Sequence, residues 1–164
     1  MESDDDDWFI IGEEKTNYWD RSHYECHAMI GRVHYPVDAS AVDFDSLVED
    51  DEEGSQLKQL ANQDNLYIRF DIGSLKLHHS RESLEYNKPT QKEIVRVLRK
   101  VREDVEKIAK KKLGDAEDLW DAKVKYSKVV NALPNGLRSI FENSFEWQGI
   151  KIDSPSFNRN HKFQ

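Results

Sequence analysis

The stretch NLYIRFDIGSLKLHHSRESLEYNKPTQKEIVRVLRKVREDVEKIAKKKL, residues 65–113, decides the fold. It opens with apolar residues at every second position, Leu66, Ile68 and Phe70, which is the pattern of a strand with one buried face. Residues 71–74 are turn-like, and Leu75 and Leu77 alternate with polar residues beyond the turn. These two runs together predict a β-hairpin.

A long helix is predicted after the hairpin. Thr90, followed three residues later by Glu93, predicts a capping box directly after Pro89. An apolar side chain then recurs at every third or fourth position, at Ile94, Leu98, Val101, Val105 and Ile108. This spacing places one apolar stripe along the helix, which has to be buried against another layer of the structure.

The flanking segments complete the expected domain. Residues 27–38 predict a further strand, with Gly31 as a bulge and Pro36 at a sheet edge or strand end. Gly114 and Asp115 predict the end of the long helix and the N-cap of a second, antiparallel helix. We expect one α+β domain at residues 8–152, in which a small, mostly antiparallel sheet packs on these two helices. Residues 1–7 predict a disordered acidic tail and residues 153–164 a mobile one.

Composition limits the class of protein. The chain has 164 residues, a net charge of −8, 34% charged residues and 37% hydrophobic residues, which favours a soluble domain with a real core. It has no apolar run of membrane-spanning length and no secretory signal pattern, so a cytoplasmic location is expected. The single Cys26 cannot form an internal disulfide.

Charge is unevenly distributed. The N-terminus and residues 49–53 are acidic, and the long helix is rich in lysine and arginine. Acidic runs of this kind are typical of solvated loops, although they can also mimic nucleic acid or bind a basic partner. The basic helix is interpreted as a solvated face, and nucleic acid is not expected as a partner because the whole chain is acidic and carries no recognisable reader motif.

The run FDIGSLKLHHSRESLEYNKPT, followed by a long helix, carries a family resemblance. It resembles the segment after the ATP-binding domain of tailed-phage rIIA-like proteins, where a strand, an S-R-E-S-L-x-Y loop and a Thr-capped helix occur in that order. AMIGRVHYPVD, residues 28–38, resembles the family segment that precedes it, and the resemblance covers residues 24–152. The distinctive positions are Ser80, Arg81, Glu82, Leu84 and Tyr86.

The resemblance implies a role within an ATPase of the gyrase, Hsp90, histidine kinase and MutL class (the GHKL class). This chain would be the S5-type transducer-like domain, and ATP and magnesium would be held by an adjacent ATP-binding domain. Transducer domains of this class lend a basic residue to the terminal phosphate, and the candidates by position are Arg81, Lys88 and Lys92. The competing interpretation is that the loop charges are structural, with Arg81 paired to Glu82 or Glu85.

Other chemistries have weaker sequence support. The seven glycines never stand two positions apart, so no G-x-G or P-loop pattern is present to cradle phosphates, and no cofactor is expected for this chain. A zinc site at His23, Cys26, His27 and His34 lacks a recognised ligand spacing, so no metal site is predicted. A hydrolase site built from Ser80 or Ser83 with His78 or His79 lacks a nucleophile elbow, and no catalytic residue is predicted.

The resemblance therefore implies a non-catalytic phage domain. It would couple the nucleotide state of a neighbouring domain to host or phage protein partners in lysis control or prophage exclusion. One alternative is a stand-alone acidic phage protein that binds and inhibits a host enzyme or defence complex. A second alternative is a small enzyme whose site the sequence does not reveal.

Overall fold

The computed structural model describes residues 7–10, 26–63, 65–133, 137–138, 140 and 146–152. The strands are β1 (Trp8–Ile10), β2 (His27–Ile30), β3 (Val33–Pro36), β4 (Leu66–Phe70), β5 (Glu146–Trp147) and β6 (Ile150–Lys151). The helices are α1 (Phe44–Leu47), α2 (Asp51–Ala61), α3 (Lys88–Gly114) and α4 (Leu119–Ala132), and a 3₁₀ turn covers Ala39–Ala41. This composition confirms the predicted α+β class. The predicted tails lie outside the described residues, except for Asp7.

The main sheet has four strands in the order β1-β4-β2-β3. The β1–β4 and β2–β3 pairs are antiparallel, and β2 runs parallel to β4, so the sheet is mixed but mostly antiparallel as predicted. β2 and β3 are joined by a tight turn at Gly31, whose φ of +64° suits a glycine. Gly31 is therefore the turn of a hairpin and not the bulge that the sequence predicted, whereas the edge position of Pro36 is confirmed.

The predicted hairpin after residue 65 is wrong. β4 pairs with β1 and β2, both of which lie far upstream in the chain. The apolar run at Leu75 and Leu77 forms no strand and makes only one antiparallel bridge, between Leu77 and Leu84. The turn itself is present, with Ser74 N–H donating to the Asp71 carbonyl at 3.0 Å. A two-stranded hairpin buries little apolar surface, whereas a central strand buries both of its edges against neighbours.

The long helix α3 begins at Lys88, two residues before the predicted cap. Asn87 is the N-cap, and its side-chain carbonyl accepts from Thr90 N–H at 2.9 Å. Pro89 lies in the first turn, where a missing N–H costs no intrahelical hydrogen bond. The predicted capping box is thus wrong, and Glu93 instead binds Arg96 through two hydrogen bonds of 2.6 and 2.8 Å.

The apolar stripe of α3 is confirmed as the centre of the core. Ile94, Leu98, Val101 and Val105 are each 1% exposed or less, and Ile108 is half-buried at the edge of the same cluster. The buried face of β4 joins this cluster through Leu66, Ile68 and Phe70. The sheet and the helix therefore cover each other's apolar surface, as the layer argument requires.

Helix α4 packs on α3, but the connection between them differs from the prediction. α3 continues through Gly114 to a C-cap at Asp115, and the N-cap of α4 is Asp118, whose side chain accepts from Asp121 N–H at 2.8 Å. Tyr126, at 0% exposure, anchors α4 in the core. No described helix combines the length and the apolar character that crossing a bilayer requires.

Helix α2 is held against α3 by a charged clamp. The acidic run at residues 49–53 is more than the solvated loop that the sequence favoured, because Asp50 caps α2 and residues 51–53 form its first turn. Glu53 binds Arg99 of α3 through two hydrogen bonds of 2.9 and 3.0 Å, and Arg102 lies 3.6 Å away. The Arg99 hydrogen bond is the main cause that lowers the pKa of Glu53 below 4.5.

Candidate functional site

Residues 76–85, which contain the SRES tetrapeptide, form a loop that is braced along its length and is called the braced loop below. Glu85 N–H donates to the Lys76 carbonyl at 2.8 Å, and His78 N–H donates to the Ser83 carbonyl at 3.0 Å. The side chains of Lys76 and Glu85 form an ion pair of 2.8 Å across the base. The loop is therefore a short hydrogen-bonded ladder closed by a turn. The ladder restricts the position of the loop tip more than an unpaired loop would.

Arg81 occupies the tip of this loop in an unusual backbone conformation. Its φ is +58°, and its N–H donates to the His78 carbonyl at 2.8 Å. An L-residue in the left-handed region costs about 1–2 kcal/mol relative to its preferred conformations. The side chains around it at residues 78–83 are exposed. The turn thus holds an arginine outward at a position where glycine would be less strained.

The base of the braced loop is tied to the first turn of α3. Thr90 is 1% exposed, and its hydroxyl oxygen accepts from Lys76 N–H at 3.0 Å. Gln91 adds a second tie, since its side-chain N–H donates to the Tyr86 carbonyl at 2.7 Å. The threonine that the sequence predicted as a helix cap is therefore a loop anchor.

Two positions of the S-R-E-S-L-x-Y pattern serve the fold. Leu84 is 2% exposed and belongs to the core cluster. The Tyr86 hydroxyl accepts from Asp38 N–H at 2.6 Å, two residues beyond the end of edge strand β3. Val37 N–H donates to the Cys26 carbonyl, toward the inside of the sheet. Backbone N–H groups alternate in direction along a strand, so positions 36 and 38 face the open edge. Pro36 has no donor and Tyr86 occupies that of Asp38, which blocks this end of the edge to strand addition.

The three predicted nucleotide-contact residues are exposed but lie on two elements. Arg81 is on the loop tip, whereas Lys88 and Lys92 lie one turn apart on the same face of α3. The competing interpretation paired Arg81 with Glu82 or Glu85, but among the described residues neither pair is formed, and Glu85 binds Lys76 instead. The hydrogen bond from Lys76 is also the largest cause that lowers the pKa of Glu85.

A cleft that the sequence did not predict lies where β2 and β4 end. It has a volume of about 450 Å³ and is lined by the ends of these strands, the start of β1 and one face of α3. Its charged lining consists of Arg69, Arg96 and Lys100 together with Asp7, Asp71 and Glu93. Lys100 binds Asp7, and Glu93 is the first cause that raises the pKa of Arg96. The only sequence signal was the succession of cations on α3, since the other lining residues come from distant segments.

Cys26, His27 and His34, for which the sequence predicts no zinc site, are placed for packing. Cys26 is fully buried on the core side, and burial raises the pKa of its thiol to about 12. His27 lies on the opposite face of the sheet, where its ring stacks on Tyr67 with centroids 5.0 Å apart, and His34 meets it edge-on at 5.2 Å. His23 lies outside the described residues, and no group of three metal-ligating side chains occurs within them.

Comparison with known proteins gives no family assignment. No family model, no curated protein and no solved structure matches the chain.

Proposed function

We propose that this chain is a non-catalytic domain that acts by binding another protein, and that it presents the tip of the braced loop to that partner. The observation that carries this proposal is Arg81, a strained and exposed cation on a loop whose base is fixed by Lys76 and Thr90. Backbone strain of this kind persists where the surrounding structure holds it, and it is frequent at binding sites. A side chain held in place before binding loses less conformational entropy when the complex forms.

The more specific form of the proposal makes the partner an adjacent ATP-binding domain, as in rIIA-like proteins. Its support is the sequence run FDIGSLKLHHSRESLEYNKPT together with the exposed cations Arg81, Lys88 and Lys92. ATP and magnesium would be held by that neighbouring domain, and Arg81 would approach the terminal phosphate. The domain would then pass the nucleotide state to further proteins in lysis control or prophage exclusion.

Joining this chain to an upstream ATP-binding domain tests the proposal. Arg81→Ala should lower ATP turnover by about tenfold or more, because a cation aimed at the developing charge of phosphoryl transfer acts mainly on the rate. The melting temperature of the isolated domain should stay unchanged, since Arg81 is exposed. Lys58→Ala, which removes an exposed cation from the end of α2, is the matched control and should change neither quantity. Loss of turnover only in proportion to lost folded protein would make Arg81 a structural residue and refute the coupling role.

A second candidate function, inhibition of a host enzyme or defence complex by a stand-alone protein, is favoured by one surface. The acidic ridge is defined here as residues 43–52 of α1, its connection and α2, with exposed carboxylates at Asp43, Asp45, Glu49, Asp50, Asp51 and Glu52. No lysine or arginine occurs in the sequence between Arg32 and Lys58. Arg99 and Arg102 of α3 pair with Glu53 next to the ridge. Such a ridge attracts basic proteins in a salt-dependent way.

The two functions predict opposite sensitivities. If the ridge binds a basic host protein, the double variant Asp51→Asn and Glu52→Gln should weaken salt-sensitive capture of that protein, and Arg81→Ala should leave it unchanged. If the loop tip is the contact, Arg81→Ala should weaken capture of the partner and the double variant should leave it unchanged. If the ridge double variant and Arg81→Ala both bind the partner as tightly as the wild type, neither the ridge nor the loop tip is the contact surface.

A further inference from the structure

A cationic stripe runs along the first half of α3. It consists of Lys88, Lys92, Arg96 and Lys100, which recur every four residues and therefore lie on neighbouring turns of one face. In the described part of the chain, neither Lys88 nor Lys92 has an ion-pair partner. The side chain of Arg96 is 64% exposed and that of Lys100 39%, although each contacts a carboxylate. Among the described residues of this stripe, positive charge without a carboxylate partner is thus concentrated at Lys88 and Lys92, whereas Arg96 and Lys100 are paired but still partly exposed.

Arg96 and Lys100 of the stripe line the cleft, and two exposed apolar side chains lie at the end of the sheet where the cleft opens. Ile72 is 87% exposed and lines the cleft, and Val33, the first residue of β3, is 52% exposed. Ile30 pairs with Val33 on one side and with Phe70 on the other, so both exposed residues lie at the same end of the sheet. An exposed apolar side chain beside the cleft can supply the desolvated contact of a complex with a protein segment.

We propose that the cationic stripe and the rim formed by Ile72 and Val33 are a docking surface for an acidic segment of a partner protein, with an apolar side chain of that segment seated on Ile72. This inference rests on the proposed protein-binding function but assigns a surface distinct from the loop tip. Charge complementarity supplies the long-range attraction, and the apolar contact supplies a desolvated centre.

The carboxylates around the cleft favour a protein segment over nucleic acid. Glu93, Asp7 and Asp71 lie among the cations. A uniform polyanion would bring phosphates against these carboxylates, whereas a peptide can place neutral or basic side chains there. The Arg96–Glu93 and Lys100–Asp7 pairs are partly exposed, and exposed pairs contribute little to stability, so their cations can rearrange toward an incoming carboxylate.

Fluorescence anisotropy with three labelled probes tests the assignment. The first probe is an acidic peptide with two leucines spaced four apart between glutamates. The second is the same peptide with both leucines replaced by glutamate, and the third is a single-stranded oligodeoxynucleotide. The first probe should bind the full chain most tightly, and tenfold higher salt should weaken its binding. Ile72→Asp and Lys92→Glu should each weaken it by about fivefold or more.

The matched controls make the same two changes on another surface. Ile150→Asp and Lys151→Glu replace an exposed isoleucine and an exposed lysine on β6, and they should not alter binding. The assignment is overturned if the leucine peptide does not bind or if the oligonucleotide binds more tightly than it does. It is also overturned if the control variants lose as much affinity for the leucine peptide as Ile72→Asp and Lys92→Glu do. Arg81→Ala should leave peptide binding unchanged, so a failure of the stripe and a failure of the loop tip give different results.

Discussion

Replacing Thr90 by valine tests the anchor between the braced loop and α3. The variant keeps the size of a side chain that is 1% exposed, but it removes the oxygen that accepts from Lys76 N–H at 3.0 Å. Leaving a partly buried backbone donor without a partner costs about 1–2 kcal/mol. For a chain of this length that loss corresponds to a decrease of about 2–8 °C in melting temperature. Amide exchange at Lys76 should become faster than in the wild type.

Two matched variants locate the effect. Thr90→Ser keeps the acceptor and should retain the protection of the Lys76 amide, at a cost of about 1 kcal/mol for the lost methyl group. Asn87→Ala removes the observed N-cap and should cost about 0.5–2 kcal/mol, with faster exchange at the Thr90 amide. If Asn87→Ala has no effect and Thr90→Val leaves the Lys76 amide protected, then α3 begins at the cap that the sequence pattern predicted and the reasoning from the structure is wrong.

Three further outcomes are expected. Leu98→Ala, at a fully buried position of the α3 stripe, should lower the free energy of unfolding in urea by about 2–5 kcal/mol. Ile108→Ala should lower it by less, because Ile108 is only half-buried. Glu53→Gln should cost about 1 kcal/mol at neutral pH. Because the folded pKa of Glu53 is lowered, the difference from the wild type should be full above pH 4.5 and vanish as the pH falls through that lowered value; a constant difference would contradict the clamp. Cys26 should resist alkylation at mildly alkaline pH in the folded chain, since the pKa of its thiol is about 12.

The sequence predicted where strands and helices lie better than it predicted which elements pack or pair with each other. β4 and the stripe of α3 follow from periodicity alone, because an alternating or helical apolar face has to be buried wherever the chain goes. The neighbours of β4 could not be predicted in the same way, since a local hairpin with residues 74–78 fits the pattern as well as pairing with distant β1 and β2. The predicted N-cap of α3 was wrong for a similar reason. Asn87 and Thr90 are both good N-caps, and only the distant Lys76 amide decides that the Thr90 hydroxyl is used elsewhere.

The cleft was beyond sequence reasoning for a geometric reason. Its lining comes from Asp7, the turn after β2, residues 69–72 and α3, and these segments meet only once the sheet order is known. By contrast, Arg81 could be singled out because it lies in a polar loop between a strand and a helix, where functional side chains are frequent. Its left-handed backbone was not foreseeable, since nothing in SRES requires a positive φ at the arginine.

The distinctive S-R-E-S-L-x-Y pattern divides into two parts with different consequences for function. Leu84 fills the core and Tyr86 occupies a donor at the edge of the sheet, so both side chains serve the fold of this chain, whatever it binds. Ser80, Arg81 and Glu82 are exposed and support none of the core. A resemblance that rests on the leucine and tyrosine therefore bears on the fold, and only the exposed tripeptide bears on the partner. Variants of Arg81 are consequently more informative about function than variants of Tyr86, which would change stability and the edge of the sheet together.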